Sequence, residues 1–111
     1  MPYPVFDRSK LAVKPLAERE SDLDLSVLWQ LDDQFPPLDD PNLDEVADRV
    51  VAAHHAGAII ILMMGAHVIK AGASRLIIDL LRRGVINHIG VNGACAIHDY
   101  ELALIGQTTE S

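Results

Sequence analysis

With 111 residues, of which 50% are apolar and 5% aromatic, the chain is long enough for one small domain with an aliphatic core. The formal net charge is −7, and eleven of the sixteen acidic residues lie between Glu18 and Asp48, where Arg19 is the single base. A surface of this charge repels phosphate-rich partners, so the composition excludes binding to nucleic acid and to anionic membranes.

The sequence carries no signs of export. Its single cysteine, Cys95, cannot form an internal disulfide, and the chain does not open with the charged, apolar and small-residue regions of a signal peptide. The longest apolar run, Ala58–Met64, is far shorter than the roughly 20 residues of a membrane-spanning helix. We therefore expect a cytoplasmic protein without a transmembrane segment.

Residues 1–38 contain many prolines and acids, a composition that predicts an extended N-terminal arm. Within the arm, apolar and polar residues alternate over Asp22–Trp29, which is compatible with a short strand. Trp29 indicates that the arm packs on another part of the chain. Residues 39–111 are predicted to form an α/β segment.

The α/β segment opens with a predicted helix. Asp40 can cap its N-terminus and Pro41 suits its first turn, while Gly57 can end it just after His55. Apolar residues recur at helical spacing, which predicts that one face is buried. These positions are Leu43, Val46, Ala47, Val50, Val51 and His54.

The uninterrupted apolar run Ala58–Met64 predicts a strand that is covered on both faces. It is followed by a glycine-bounded loop, Gly65–Gly72. Ser74 can cap a second helix, which should run to Arg83 and end at Gly84.

A second strand is predicted over Val85–Asn92, and a third helix over Ile97–Ile105 ends at Gly106. Because strand–helix–strand units are almost always right-handed and parallel, this order predicts a Rossmann-like parallel sheet with helices on both faces. Both post-strand loops then lie at the carboxyl edge of the sheet, where open α/β folds bind ligands. Two strands are few for such a sheet, so we expect an incomplete domain, a fragment of a larger one.

The loop Gly65–Gly72 can bring backbone N–H groups close to a phosphate at the start of a helix. The structural alternative is that its glycines only form the turn. Lys70 could neutralise a phosphate or act as an amine nucleophile, although a solvated surface position is favoured. His67 could bind a ribose or act as an acid or base, or could simply cap a helix.

The second loop, Asn92–Ala96, leads into the densest polar cluster of this half of the chain. His98 and Asp99 could orient an amine or a ribose hydroxyl. Equally, Asp99 and Glu101 could be ordinary acidic residues of a first helical turn.

Two other kinds of chemistry are disfavoured. Cys95 could be a nucleophile, but its alanine neighbours favour a small packing residue. The five histidines lack the spacing of metal ligands, so no metal is expected.

The span Ile59–Gly106 resembles the deoxyhypusine synthase family, and more closely an uncharacterised bacterial branch of synthase-like proteins. The residues that carry the resemblance are the apolar strand, HVIKAG (His67–Gly72), the following helix with Arg75, Ile77 and Ile78, RRGVI (Arg82–Ile86) and NGACAIHDYELAL (Asn92–Leu104). The family binds NAD and transfers an alkylamine group. The resemblance therefore implies an NAD-binding segment that acts on an amine or polyamine and is a homo-oligomer at full length.

Carried over residue by residue, the resemblance implies two sets of contacts. Those along NAD are His67, Lys70, Ala71, Gly72, Asn92, Gly93 and Ala94, and those near an amine substrate are His98 and Asp99. In the family, serines stand where Lys70 and Ala71 are, and an acidic ligand stands in place of His98, so polyamine specificity differs. The family's catalytic lysine has no counterpart before Ser111, which leaves the catalytic residues unknown and implies that this chain alone is inactive.

Two other functions remain open from sequence. The chain could be a non-catalytic α/β module with an oligomerisation role, in which the acidic arm makes the subunit contact. It could also be a hydrolase that uses His98 and Asp99 as base and orienting group, although no serine elbow or other nucleophile accompanies them.

Overall fold

The computed structural model describes residues 3–109. Within this range the chain is a mixed α/β fold with four α-helices and four short strands. The helices are α1 (Pro41–His55), α2 (Ala66–Lys70), α3 (Ser74–Arg82) and α4 (Gly93–Ile105), and the strands are β1 (Leu23–Asp24), β2 (Ile61–Met64), β3 (His88–Val91) and β4 (Gln107–Thr108). The outermost residues of the predicted arm and of the predicted α/β segment, 1–2 and 110–111, lie outside the described residues.

The N-terminal arm is mostly extended, with short 3-10 turns. The strand that was expected over Asp22–Trp29 is reduced to β1, because the Asp24 side chain accepts a hydrogen bond from the Ser26 N–H at 2.7 Å and starts a turn. β1 pairs antiparallel with β4, which places Leu23 opposite Thr108. This pairing was not expected from the sequence, and it ties the arm to the other end of the described chain.

Helix α1 begins and ends as the sequence predicts. The Asp40 carboxylate accepts a hydrogen bond from the Asn42 N–H at 2.9 Å, and Pro41 occupies the first turn. At the other end, Gly57 adopts φ +69°, the left-handed conformation that favours glycine. Both boundaries follow from local side-chain and backbone preferences.

The predicted buried face of α1, however, is wrong. No residue of the helix is buried. Leu43, Val46 and Val51 are 48%, 56% and 51% exposed. The periodicity correctly identifies an apolar stripe, but no other part of the described chain covers it.

Strands β2 and β3 pair in parallel, as predicted. Ile61 lies opposite His88 and Met64 lies opposite Val91, so the two carboxyl ends meet at one edge. The strands are shorter than the apolar runs that predicted them, and residues 58–60 and 85–87 are coil or turn. In the part of the chain that the structure describes, the parallel sheet has these two strands only.

One face of this sheet is covered and the other is bare. On the covered face, Met64 packs against a small core formed by Ile69 of α2 and by Cys95 and Leu102 of α4. On the opposite face, Ile61 is 60% exposed and Met63 is 82% exposed. The expectation that helices cover both faces is therefore wrong for the described residues.

The two predicted loops are largely helical. Residues 66–70 form α2 inside the first loop, and α4 begins at Gly93 instead of Ile97. Ser74 is not a helix cap, because the N-cap position is Ala73. The Ser74 hydroxyl is buried and has no hydrogen-bond partner.

Candidate functional site

The carboxyl edge of the parallel pair brings together the two segments that the sequence singled out. Gly65 follows β2 and Asn92 follows β3. The two residues lie side by side, since a Cβ built on Gly65 would lie 3.5 Å from Asn92 Nδ2. A shallow cavity of about 510 Å³ lies here, lined by Met63, Met64, Gly65, Gly90, Val91 and Asn92.

Two helices begin at this edge. α2 starts at Ala66 and α4 at Gly93, so the first N–H groups of both helices, which have no partner within their helix, lie next to the cavity. The Asn92 side chain caps α4 by accepting a hydrogen bond from the Cys95 N–H at 2.9 Å. A Cβ on Gly93 would meet no atom within 4 Å, so the backbone there is open to an approaching ligand.

The predicted NAD contacts of the first loop, His67–Gly72, spread along α2, whereas those of the second loop, Asn92–Ala94, lie at this edge. His67 is exposed on the first turn, whereas Lys70 ends the helix and is half-buried. Ala71 is the C-cap residue of α2. Only the start of the predicted loop, from Gly65 to His67, therefore lies at the strand ends.

The N-terminal arm packs against Gly72. The Gly72 carbonyl accepts a hydrogen bond from the Trp29 N–H at 3.0 Å. Gly72 adopts φ +90°, and a Cβ there would lie 2.0 Å from the Val27 carbonyl oxygen. The Arg75 guanidinium donates to the Leu28 carbonyl at 3.5 Å. Gly72 thus allows the arm to pack closely on the chain. Trp29 lies in this contact, and it is the residue that predicts, from sequence, that the arm packs on another part of the chain.

The structure does not bring His98 and Asp99 together. They are successive residues of α4, so their side chains leave the helix about 100° apart. Asp99 lines an apolar cavity of about 520 Å³ between α3 and α4. His98 instead contacts the Thr108 hydroxyl of β4 with Nδ1 at 2.7 Å. The pair does not form the base and orienting group of a hydrolase.

A polar network missed by sequence reasoning surrounds Thr108, which is fully buried. The Thr108 hydroxyl donates to Glu101 at 2.6 Å, and Arg19 of the arm forms an ion pair with the same carboxylate. The hydroxyl has a single proton, and Glu101 accepts it. The Nδ1 of His98 must therefore be the donor in its contact with Thr108. No local signal in the sequence could reveal the pair of Arg19 and Glu101, since the two residues are 82 positions apart.

This network determines the protonation of Glu101. Hydrogen bonds from Arg19 and then from Thr108 hold the pKa of the Glu101 carboxyl below its ordinary value, and the charges of Arg19 and His98 add to the effect. The carboxylate therefore stays ionised to a lower pH than an ordinary glutamate.

Cys95 packs in the core, as the sequence favoured. It is 2% exposed and contacts the cluster around Met64. Burial, and then the charge of Asp99, raise the pKa of the Cys95 thiol. The raised pKa lowers the fraction of Cys95 that is present as the nucleophilic thiolate.

Among residues 3–109, no group of three or more histidine, cysteine, aspartate or glutamate side chains lies close enough to hold a metal ion. Across the same described span, every helix is too short or too polar to cross a bilayer.

Comparison of the sequence with protein-family models and with curated proteins, and of the fold with solved structures, finds no match for this chain. The resemblance between residues 59–106 and the deoxyhypusine synthase family is therefore an argument from motifs alone.

Proposed function

We propose that this chain is a Rossmann-like, NAD-binding segment of a deoxyhypusine-synthase-like transferase that acts on an amine or polyamine. One observation carries the proposal: the parallel register of β2 and β3 places Gly65 and Asn92–Gly93 side by side at the carboxyl edge. Ligands of open α/β sheets bind at this edge, and helix N-termini there attract phosphate.

The residues at the edge fit the diphosphate of a dinucleotide. The N–H groups of Gly93 and Ala94 belong to the first turn of α4, and Gly93 leaves room for close approach. The Asn92 side chain already caps the helix, so it supports the backbone of the turn and does not need to contact the ligand. His67, exposed on the first turn of α2, is within this region and could meet a ribose.

The rest of the predicted contact set supports the proposal less. Ala71 and Gly72 lie at the far end of α2, and the arm covers Gly72. Of the predicted cofactor contacts we therefore retain His67, Gly93 and Ala94 in the proposal, and we add Gly65, which lies beside Asn92 at the edge. When bound, NAD supplies the hydride chemistry, and the contribution of these residues is to position the diphosphate.

The proposal is tested by titrating NAD into the purified chain by calorimetry. We expect saturable binding that is weakened at least tenfold, about 1.4 kcal/mol, in Gly93→Glu, because the new carboxylate repels the diphosphate and fills the open space. Ala52→Glu is the matched control, since it adds the same charge at an exposed position of α1 far along the chain from the edge.

Two results would overturn the proposal. The first is an absence of saturable binding at millimolar NAD. The second is equal NAD affinity in Gly93→Glu and Ala52→Glu, which would place any binding away from the carboxyl edge.

A further inference from the structure

Asn92 and Gly93 form the only asparagine–glycine pair of the sequence, and the structure leaves both residues exposed. In such a pair the backbone nitrogen of the glycine can attack the side-chain amide of the asparagine, because glycine has no side chain to hinder the approach. The surroundings do not hinder it either, since a Cβ on Gly93 would meet no atom within 4 Å. The reacting groups are therefore unhindered and accessible to water.

The attacking nitrogen is not held by the helix. Gly93 is the first residue of α4, and an N–H in this position has no partner within its helix. The amide nitrogen that must leave, Asn92 Nδ2, lies at the shallow cavity of the carboxyl edge, 3.5 Å from the Cβ position of Gly65. Ammonia released there passes directly into solvent.

The cap that Asn92 provides is the restraint on this reaction. Ring closure requires the Asn92 backbone to rotate from its ψ of 168°, so that the Gly93 nitrogen faces Cγ of the side chain. The same rotation breaks the hydrogen bond from the Cys95 N–H, which is 2.9 Å long. A helix cap contributes about 1 kcal/mol, so the reactive conformation is reached about fivefold less often than in an unfolded chain.

Asn87 is held much more firmly. The N–H that would attack its side chain belongs to His88 and donates to the Ile60 carbonyl at 3.4 Å. The Asn87 side chain accepts a hydrogen bond from the Ile60 N–H at 2.8 Å, and the Asn87 N–H donates to the Ile60 carbonyl at 2.9 Å. Attack at Asn87 requires this end of the parallel pair to open, whereas attack at Asn92 requires one capping bond to break.

We propose that Asn92 is a modification site of the folded chain, at which deamidation through Gly93 converts the asparagine into aspartate or isoaspartate. The Gly93 nitrogen loses its proton and forms a bond to Cγ of Asn92, and the bond from Cγ to Nδ2 breaks with release of ammonia. Water then adds to either carbonyl of the cyclic imide and opens the ring. In sum, an amide and water give a carboxylate and ammonium, without any oxidation or reduction.

The two products change the carboxyl edge in different ways. Aspartate keeps an acceptor for the Cys95 N–H and adds a negative charge beside Gly65 and Gly93. Isoaspartate carries the main chain through the former side chain, so the cap is lost and the first turn of α4 is disrupted. Either carboxylate weakens the binding of a diphosphate at this edge. That last consequence rests on the proposed function, whereas the modification itself does not.

Mass spectrometry of the purified chain tests the proposal, after incubation at mildly alkaline pH both folded and in guanidinium chloride. Asn87 and Asn92 lie in the peptide that follows Arg83, and fragmentation between them assigns the mass gain of an amide-to-acid conversion. We expect folding to slow conversion about fivefold at Asn92, and by a further factor of roughly ten at Asn87. Each asparagine is compared with itself in the unfolded chain, so the effect of its neighbours in sequence cancels.

Gly93→Ala tests the route of the reaction. The added methyl group hinders the attacking nitrogen, so we expect conversion of Asn92 to fall roughly tenfold. Conversion of Asn87 in the same molecules should stay unchanged, which makes it the matched control.

Three results would overturn the proposal. They are an absence of conversion at Asn92 in the folded chain, an equal slowing of Asn87 and Asn92 by folding, and an unchanged rate at Asn92 in Gly93→Ala. The last would show that water, and not the Gly93 nitrogen, attacks the amide. No NAD is present in these measurements, so a failure of the proposed cofactor leaves their outcome unaffected.

Discussion

At the scale of single residues, Thr108 links the arm, α4 and β4. Its hydroxyl is bonded to Glu101 and to His98, and Glu101 is in turn paired with Arg19. Each of these bonds satisfies a polar group that is wholly or partly buried, which is the condition under which polar groups stabilise a fold. His98, one of the two residues expected to contact a substrate, belongs to this network.

The depressed pKa of Glu101 makes stability depend on pH. A carboxyl whose pKa is lower in the folded chain contributes stability above its ordinary value, and this contribution is lost as the pH falls through the lowered folded value. We expect the urea midpoint of the natural chain to fall between about pH 5 and pH 3, and to fall less in Glu101→Gln, which lacks this titration.

The control for this measurement is Glu45→Gln, in the exposed pair with Arg49 on α1. Exposed ion pairs contribute little, so this variant should retain the pH profile of the natural chain. At neutral pH we expect Glu101→Gln to lose about 1–2 kcal/mol of unfolding free energy. Identical pH profiles for Glu101→Gln and the natural chain would contradict the network.

Gly72 gives a second prediction at this scale. A methyl group there would lie 2.0 Å from the Val27 carbonyl oxygen, and the residue also has φ +90°. We expect Gly72→Ala to lower the free energy of unfolding by about 2 kcal/mol or more, measured by urea denaturation.

Gly84→Ala isolates the backbone part of that cost. Gly84 has φ +70° but no atom within 4 Å of its would-be Cβ. Its loss should be about 1 kcal/mol, from the left-handed conformation alone. Equal losses at the two positions would mean that the arm does not dock on Gly72 in solution.

At the scale of elements, α4 depends on Asn92. The side chain accepts a hydrogen bond from the Cys95 N–H and satisfies one of the N–H groups of the first turn. We expect Asn92→Ala to destabilise the fold by about 1 kcal/mol, whereas Asn92→Asp retains the cap. Thermal unfolding followed by circular dichroism measures both, and equal melting temperatures for the alanine variant and the natural chain would disprove the capping role.

Elements with local signals could be predicted from the sequence. Asp40 and Pro41 mark the start of α1 and Gly57 its end, because capping depends on residues within one turn. The parallel pairing of β2 and β3 also follows from local order. By contrast, α2 was missed because the glycines at positions 65 and 72 suggested a loop.

The elements that could not be predicted depend on partners far away in sequence. β1 and β4 are two residues each, too short to show a strand period, and they form only because they pair with each other. The same applies to the candidate site. Its two halves could be placed at one edge from topology. The docking of the arm on Gly72 and the hydrogen bond between His98 and Thr108 could not be predicted in this way.

At the scale of the whole molecule, the chain is expanded. Its radius of gyration is 18.6 Å. A compact domain of this length would have a value of about 13 Å. Apolar periodicity predicts which face of an element should be buried, but it does not show whether the chain contains anything to cover it. This is why the stripe of α1 was identified correctly and its burial was not.

The pairing of β1 with β4 also has a consequence for the order of assembly. Arg19 and β1 precede their partners at Glu101 and in β4, so these contacts can form only once the later part of the chain has been made. The contacts of residues 27–29 with Gly72 and Arg75 need a shorter stretch of chain and can form before them. The arm can therefore attach during synthesis in two stages, at Gly72 first and at β4 second.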